Sequence, residues 1–205
     1  LAQPYLSDTV SALCKRGAKL VSAPYPLGVE GTLAWFQAAA AEWSLSAEAV
    51  RDALAIPMVR AQKSLAKTRE SLQERTIHFL PDSQLEIPLA RFLRDECGMS
   101  LTEVATPYLD QTLMAGELQR LGRDVSLVEG SDLDSALARV RHYRPDLTVC
   151  GMGIANPLEA EGLRTKWSIE LIFTPIQGFD QVADLAGLFA RPLMRERQLE
   201  VGAWS

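Results

Sequence analysis

The chain has 205 residues, of which 47% are hydrophobic and 23% charged, and its formal net charge is −5 at pH 7. This is an ordinary composition for a globular protein. A sequence pI near 5.2 argues against nucleic acid binding, which requires a basic face. No apolar run approaches the roughly 20 residues of a membrane span, so we expect no membrane segment.

The sequence begins LAQPYLSDTV, without a Met and without the basic and apolar regions of a secretory signal. We therefore expect it to begin inside a longer protein. Its three cysteines, Cys14, Cys97 and Cys150, are odd in number and widely spaced. That pattern favours a reducing compartment over a disulfide framework, and it lacks the close spacing of a zinc site. We expect all three to be structural and expect no metal site.

Residues 1–44 contain pieces of α/β structure. The segment SDTVSALCKR predicts a short helix with Ser7 as its N-cap and Gly17 after its end. AKLVSAPYP predicts a strand, and EGTLAWFQAAAAEW predicts a helix. We interpret residues 1–44 as the remnant of a preceding α/β domain.

Residues 45–74 predict a helical junction. Ser46 caps the helix AEAVRDALAI, and Pro57 is expected to break or kink it. The second helix, MVRAQKSLAKTRESLQER, carries charges along one side. We interpret that side as solvated rather than as a docking surface for an acidic partner.

In residues 75–205, strand-like segments alternate regularly with helix-like segments. This alternation predicts a C-terminal Rossmann-like domain. The predicted strands are TIHFLP, SLTEVATP, DVSLVEG, DLTVCGMG and SIELIFTP. The predicted helices are SQLEIPLARFLRDECG, LDQTLMAGELQRLG, DLDSALARVRHY and DQVADLAGLFARPL. Because strands that alternate with helices form right-handed βαβ units, the fold class is α/β, with a doubly wound parallel sheet.

Ligands of open parallel sheets bind beyond the carboxyl ends of the strands. Those ends carry residues 81–83, 106–108, 129–131, 151–153 and 174–175. The segment 151–178 is predicted to be a loop at this edge, and Trp167 is its largest apolar side chain. We therefore interpret the segment as a binding loop.

Three features of this edge have competing interpretations. GMGIAN resembles the opening of a dinucleotide fingerprint, but Asn156 replaces its third glycine and Pro157 follows, so we favour a tight turn with glycine at positive φ. Asp82 and Ser83 suit either a helix N-cap or a polar contact to a ligand. Trp167 suits either the core or a half-exposed position from which it stacks on a flat ligand.

Other catalytic signals are missing from the sequence. His78 and His142 have no second ligand nearby that would indicate a metal site. There is no G-x-S-x-G, Walker or H-E-x-x-H motif. From the residues alone, the sequence predicts an α/β ligand-binding domain with an aromatic residue on its binding loop.

Four longer segments carry a family resemblance: APYPLGVEGT, PDSQLEIPLARFL, EVATPYL and ANPLEAEGLRTKWSIELIFTPIQGFDQVADLAGLFARPL. In this order they resemble the C-terminal portion of the N subunits of light-independent (dark-operative) protochlorophyllide reductases, a nitrogenase-like family. The resemblance spans essentially the whole chain and is most specific at residues 79–110 and 148–192.

The resemblance implies an oxidoreductase that reduces the D-ring C17=C18 bond of protochlorophyllide to give chlorophyllide a. It implies an N2B2 heterotetramer with the B subunit, a [4Fe-4S] cluster at the N–B interface, and an iron–sulfur L protein that hydrolyses ATP. The implied location is the cytoplasm, or the chloroplast stroma for a plastid protein. This chain would contribute half of the tetrapyrrole pocket.

The resemblance also implies site residues. Trp167 would line the pocket, with Thr165 and Leu163 as weaker candidates from the same segment. The family's proton donor is an aspartate of the B subunit together with a substrate propionate, so no catalytic residue is expected here. The family's three cluster cysteines lie in the N-terminal domain and have no counterpart in this sequence. We therefore expect this chain alone to bind no cluster and to be inactive.

Three alternatives remain open beside that function. The chain would also suit the equivalent subunit of chlorophyllide reductase or of another nitrogenase-like reductase. It would suit a non-catalytic scaffold that assembles subunits. A generic nucleotide-sugar or dinucleotide binder is disfavoured because the phosphate-binding motif is missing.

Overall fold

A computed structural model describes residues 4–130 and 132–199 of the chain. In chain order the helices are α1 (Ser7–Lys15), α2 (Gly28–Ala41), α3 (Ala47–Ala53), α4 (Ala55–Arg69), α5 (Glu86–Asp95), α6 (Ala115–Leu121), α7 (Leu133–Tyr143), α8 (Met152–Ala160) and α9 (Val182–Leu199). The strands are β1 (Thr76–Phe79), β2 (Ser100–Thr106), β3 (Leu127–Glu129), β4 (Leu147–Cys150) and β5 (Thr165–Trp167). None of the helices in these ranges is long and apolar enough to cross a bilayer.

The five strands form one sheet in the order β3-β2-β1-β4-β5, and every neighbouring pair is parallel. The chain moves outward from β1 to β3 on one side and then returns to place β4 and β5 on the other side. This order is that of a Rossmann-like sheet, and it creates a topological switch point between β1 and β4. The predicted fold class is confirmed.

The two faces of the sheet pack against different helices, because successive side chains of a strand point to opposite faces. Ile77, Phe79 and Val149 belong to the larger buried cluster, which also includes residues of α5 and α9. Leu80 and Cys150 belong to a smaller cluster with residues of α7 and α8. The sheet is therefore covered by helices on both faces, as a doubly wound fold requires.

The segment AKLVSAPYP does not form the predicted strand. The Glu117 carboxylate accepts a hydrogen bond from the Tyr25 backbone N–H at 2.6 Å. The Arg91 guanidinium donates to the Tyr25 and Leu27 carbonyls at 3.1 and 3.2 Å. Arg91 and Glu117 are themselves joined by a 2.7 Å ion pair between side chains that are each 1% exposed. At Tyr25 and Leu27 the backbone is therefore satisfied by buried side chains rather than by a neighbouring strand.

The first part of the chain shares the core of the sheet. Tyr25, Leu27 and Leu33 are buried in the same cluster as Ile77 and Phe79. The division of the chain at residues 1–44, 45–74 and 75–205 stays a prediction.

Two of the predicted helix boundaries were wrong. Ser7 is the first residue of α1, and Leu6 at the N-cap makes no side-chain bond. The break between α3 and α4 falls at Leu54 rather than at Pro57. Pro57 lies in the first turn of α4, where a backbone N–H has no partner within the helix. The Ser46 cap is confirmed, since its hydroxyl accepts from the Ala49 N–H at 3.1 Å.

The segment 151–178 is not one loop. Residues Met152–Ala160 form α8, and the strand that follows is Thr165–Trp167, three residues before the predicted SIELIFTP. Residues Ser168–Ile172 form a 3-10 helix instead of a strand. The prediction of a strand at SIELIFTP was therefore wrong, because the strand lies just before that segment and a 3-10 helix follows it.

Arg91 is expected to be the most costly charged residue to remove. Arg91→Met leaves the Glu117 carboxylate buried without its cation, and we expect the free energy of unfolding to fall by about 3–5 kcal/mol. Chemical denaturation of the wild type and the variant measures the difference. Arg60→Met is the matched control, because Arg60 pairs with Asp180 on the surface, where both side chains are more than 60% exposed. That variant should lose less than about 1 kcal/mol. Equal losses would contradict the role of the buried pair.

His78 makes the fold sensitive to acid. Its side chain is fully buried in β1, and burial lowers its pKa from 6.5 to about 4, against opposing attraction from Glu103. The unfolded chain therefore binds this proton more readily than the folded chain does. The stabilisation is complete above about pH 6.5 and is lost as pH falls through 4, with about 3 kcal/mol as its upper limit.

The pH dependence of unfolding in His78→Gln tests this prediction. Between pH 6.5 and 4 the wild type should lose more stability than the variant, in which no imidazole titrates. His142→Gln is the matched control, because His142 is the second histidine of the sequence and is exposed at the end of α7. If the two variants follow the same pH profile, buried His78 is not the acid-sensitive group.

Candidate functional site

The residues that follow the carboxyl ends of the strands form one edge of the sheet. We call this edge the carboxyl rim and define it as residues 80–84, 107–109, 130, 151–153 and 168–173. Because all five strands are parallel, these segments meet at the same edge.

A hydrogen bond joins two parts of the carboxyl rim across β4. The Ser168 hydroxyl donates to the Asp82 carboxylate, and it lies 3.3 Å from the Cys150 carbonyl oxygen. Ser168 is 2% exposed and directly follows β5. This contact turns the chain at the end of β5, which is the physical reason that the predicted strand after Trp167 does not form.

Gly151 lies against the same carboxylate. A Cβ at this position would lie 2.9 Å from Asp82 Oδ1, closer than real Cβ atoms essentially ever approach another atom. Its φ is −69°, so the interpretation of GMGIAN as a turn with glycine at positive φ was wrong. Glycine is required here by close approach of a side chain. A Cβ added at Gly153, two residues later in α8, would have no neighbouring atom within 4 Å.

Asp82 also bears on the dinucleotide interpretation. Its carboxylate lies beside Gly151, the N-cap of α8, at the switch point where a pyrophosphate would bind. A second anion at this place would be repelled by the carboxylate. The geometry therefore adds to the missing third glycine as an argument against a dinucleotide.

Glu86 orders the loop after β1. One of its carboxylate oxygens accepts from the Asp82 and Ser83 backbone N–H groups at 2.9 and 2.5 Å, and the Thr106 hydroxyl lies 3.3 Å from the other. Burial raises the pKa of Glu86, while these hydrogen bonds lower it. The N-cap of α5 is Leu85, so Asp82 and Ser83 are not side-chain caps of the helix start. The Ser83-x-x-Glu86 spacing, a capping-box pattern, is the sequence signal that could have identified Glu86.

Gln84 holds a pair of aromatic side chains at the carboxyl rim. Its carbonyl oxygen accepts from the Tyr5 N–H at 3.0 Å, and its amide donates to the Tyr108 carbonyl at 3.2 Å. The two tyrosine rings stack with centroids 6.3 Å apart and planes 10° apart. Gln84 is buried with a φ of +62°, a strained conformation that no sequence signal indicated.

Trp167 lies at the carboxyl rim, half-buried. It is the last residue of β5, opposite Cys150 in β4, and it packs against the smaller cluster. It also borders a cleft of about 260 Å³ between β5 and α9, with Glu159, Lys166 and Arg191 among the other lining residues. Part of the Trp167 side chain therefore contacts the core, and part of it remains exposed to solvent.

Leu163 and Thr165 are less accessible than Trp167. Leu163 is 5% exposed and belongs to the smaller cluster. Thr165 is 7% exposed, and its hydroxyl donates to the Glu159 carboxylate. Their assignment as ligand contacts stays a prediction, as does that of Trp167.

The carboxyl rim also carries three large apolar side chains that are exposed. Met152 at the start of α8 is 52% exposed, and Ile169 and Phe173 after β5 are 38% and 81% exposed. No sequence signal singled them out, because their position at the rim depends on where the last strand ends. They follow β4 and β5, and Trp167 is the last residue of β5.

The described part of the chain does not suit a metal cluster. In residues 4–130 and 132–199, no group of three or more His, Cys, Asp or Glu side chains is placed to hold a metal ion. Cys97 and Cys150 are buried, and burial raises the pKa of both thiols, that of Cys150 to about 12. Cys14 is exposed on α1, far along the sequence from either of them.

The sequence profile of the nitrogenase component 1 type oxidoreductases matches residues 1–194. The chain belongs to this family. A relative from Halorhodospira halophila (strain DSM 244 / SL1), the light-independent protochlorophyllide reductase subunit N, is 57% identical over 98% of this chain and 47% of that protein. The subunit of the same name from Acidiphilium rubrum is 56% identical over 98% of this chain and 48% of that protein.

Solved structures support the same fold at low sequence identity. A structure of nitrogenase Cp1 at pH 5 covers 99% of this chain and 48% of its own, with a TM-score of 0.72 and 12% identity. Nitrogenase Cp1 at pH 6.5 covers 88% of this chain and 46% of its own, with a TM-score of 0.66 and 11% identity. Likeness at this identity shows the fold alone.

As a nitrogenase component 1 type oxidoreductase, the chain spans about half the length of the curated relatives that it matches. The resemblance to N subunits is confirmed by those relatives. The placement of the chain in their C-terminal portion stays a prediction.

The close approach of Gly151 to Asp82 can be tested by a double-mutant cycle. Gly151→Ala forces the Asp82 side chain to move, so we expect a loss of about 1–3 kcal/mol in the free energy of unfolding. The loss should shrink in the Asp82→Ala background, where the added methyl group has space.

Gly153→Ala is the matched control in the same helix. Its added methyl group meets no neighbour, and alanine is favoured over glycine within a helix by about 1 kcal/mol. This variant should be as stable as the wild type or more so. Equal losses for Gly151→Ala in both backgrounds would show that Asp82 is not the reason for the glycine.

Proposed function

We propose that this chain is part of the N subunit of a light-independent, ATP-dependent protochlorophyllide reductase and supplies one wall of its tetrapyrrole pocket. The reaction would reduce the D-ring C17=C18 bond of protochlorophyllide to give chlorophyllide a. The identity of 57% to a subunit of that name supports the assignment. The position of Trp167, partly exposed at the end of β5, is the observation that carries it.

The carboxyl rim suits a large flat ligand better than a small polar one. Trp167 is half-buried, so the indole is held by its contacts with the smaller cluster while part of it remains available for stacking. Exposed Met152, Ile169 and Phe173 belong to the same end of the rim. Burial of even ~300 Å² of apolar surface there supplies roughly 7 kcal/mol before the costs of association.

Beside Trp167 the chain offers a shallow cleft rather than an enclosed pocket of tetrapyrrole size. The cleft beside Trp167 has about 260 Å³, below the usual range of roughly 300–1,000 Å³ for small-molecule pockets. A planar macrocycle that rests on the carboxyl rim would leave its second face uncovered. We propose that the B subunit covers that face in an N2B2 assembly.

The residues of this chain would bind and orient the pigment and exclude water from one of its faces. Asp82, the carboxylate at the switch point, already accepts a hydrogen bond from Ser168. It is therefore a poor candidate for the proton donor, and we propose that the proton comes from the B subunit and from a substrate propionate. Thr165 and Leu163 would support Trp167 from below the surface.

The electron carriers are proposed to lie outside this chain. A [4Fe-4S] cluster would supply electrons in the complete enzyme, and the described cysteines do not suit it because two are buried and the third is distant in sequence. We propose that the rest of the complex holds the cluster and that the L protein docks there and hydrolyses ATP. The complete enzyme is proposed to act in the cytoplasm, or in the stroma of a plastid.

A role in subunit assembly has its own support. Trp43 and Leu45, between α2 and α3, are 73% and 57% exposed, and Ile56, in the first turn of α4, is 81% exposed. Large apolar side chains in such a group are typical of interaction surfaces. Assembly and pigment binding involve different surfaces of the chain, so one function does not exclude the other.

Trp167→Ala in the complete enzyme is expected to weaken protochlorophyllide binding about tenfold or more, because the pigment loses its contact with the exposed part of the indole. Fluorescence titration of the pigment into the assembled complex measures the affinity. Titration with chlorophyllide in parallel distinguishes the proposed substrate from that of a related reductase.

Tyr143→Ala is the matched control, because Tyr143 is 46% exposed and lies at the end of α7 rather than at the carboxyl rim. It should leave pigment affinity unchanged. Unchanged affinity in Trp167→Ala, with the complex intact by gel filtration, would remove the pocket assignment.

A further inference from the structure

Three buried polar atoms on one face of the sheet have no hydrogen-bond partner among the residues that the structure describes. They are His78 Nε2, Glu103 Oε1 and Thr148 Oγ1. Their residues are 0%, 1% and 0% exposed. A buried polar atom without a partner costs about 1–3 kcal/mol, so three within one small region require a physical explanation.

The three side chains belong to adjacent strands at the same level of the sheet. His78 of β1 is in register with Glu103 of β2 on one side and with Thr148 of β4 on the other. Side chains in register on neighbouring parallel strands point to the same face. His78 Nε2 and Glu103 Oε1 are 3.6 Å apart, slightly too far for a direct hydrogen bond.

The neighbours of His78 determine which ring nitrogen carries the proton. The Thr102 hydroxyl donates its single hydrogen to the Ile77 carbonyl at 3.2 Å. The same oxygen lies 3.0 Å from His78 Nδ1, and while its hydrogen points to Ile77 it accepts from Nδ1, which then carries the ring hydrogen. Burial keeps the ring neutral at pH 7 by lowering its pKa to about 4. His78 Nε2 is therefore a lone-pair acceptor.

Glu103 places a second hydrogen-bond acceptor, its Oε1 atom, close to His78 Nε2. Its Oε2 accepts from the Arg139 guanidinium at 2.7 Å, which leaves Oε1 facing His78 Nε2. Two acceptors that face each other across 3.6 Å repel unless a donor lies between them. Thr148 has the only hydroxyl hydrogen among the three groups, and one hydrogen cannot satisfy both acceptors.

We propose that His78, Glu103 and Thr148 form a binding site for one buried water molecule. The water donates one hydrogen to His78 Nε2 and the other to Glu103 Oε1, and it accepts the Thr148 hydroxyl hydrogen. All three atoms then have a partner, and the water makes three hydrogen bonds, the usual number for an internal water. With the hydrogen of neutral His78 on Nδ1, this arrangement gives each of the three atoms a partner.

The site links β2, β1 and β4 across the topological switch point. His78 and Thr148 lie two residues before Leu80 and Cys150, the positions at which β1 and β4 reach the carboxyl rim. The water would therefore hold the two central strands together directly below Asp82 and Gly151. This role is independent of the proposed function, because it involves no contact with a pigment.

High-resolution crystal structures of the complete complex test the site with three forms of the chain. The wild type should show a water within about 2.7–3.2 Å of all three atoms. Thr148→Ser keeps the hydroxyl and should keep the water. Thr148→Val is nearly the same size as the wild type but lacks the donor, so the water should be lost or displaced.

Two solution measurements accompany the structures. Thr148→Val should raise the unfolding equilibrium constant of the chain about tenfold, because the water loses a hydrogen bond. If the Thr148 hydroxyl truly has no partner, the valine should instead be neutral or stabilising. Nitrogen NMR of His78 should show a protonated Nδ1 and an unprotonated Nε2.

Each of three results would overturn the proposal. These are a wild-type structure without the water, a water that Thr148→Val leaves in place, and a His78 ring protonated at Nε2. None of them affects the pigment proposal, because that proposal is tested by the affinity of Trp167 variants.

Discussion

The hydrogen bond from Ser168 to Asp82 is the contact on which the geometry of the carboxyl rim depends. It joins the chain after β5 to the chain after β1, and it passes over the end of β4. Because Asp82 lies there, the residue that ends β4 must be followed by glycine, and α8 begins at once. The same contact ends β5 at Trp167, which leaves the indole at the edge of the sheet rather than within a longer strand.

Buried polar groups organise the parts of the fold that hydrophobic packing leaves undetermined. The Arg91–Glu117 pair fixes the irregular segment before α2 against α5 and α6, where no strand is available to satisfy its backbone. Glu86 does the same for the loop after β1. In both cases a buried side chain substitutes for a missing backbone partner. His78 in β1 and Glu103 in β2 are also buried polar residues of the sheet.

The chain is a nitrogenase component 1 type oxidoreductase that spans about half the length of its relatives, and its surfaces are consistent with a part of a larger assembly. The proposed recognition of a flat apolar ligand depends on Trp167, which lies at the end of β5 with part of its side chain exposed.

The sequence by itself determined the alternation of strands and helices and the parallel sheet, because these follow from local hydrophobic periodicity and from the handedness of βαβ units. It did not determine the irregular segment before α2, the end of β5 or the reason for Gly151. Each of these depends on a side chain more than 60 residues away in sequence: Glu117 for Tyr25, and Asp82 for Ser168 and Gly151. Only the tertiary structure brings such partners together, since hydrogen bonds between distant residues leave no periodic pattern along the chain.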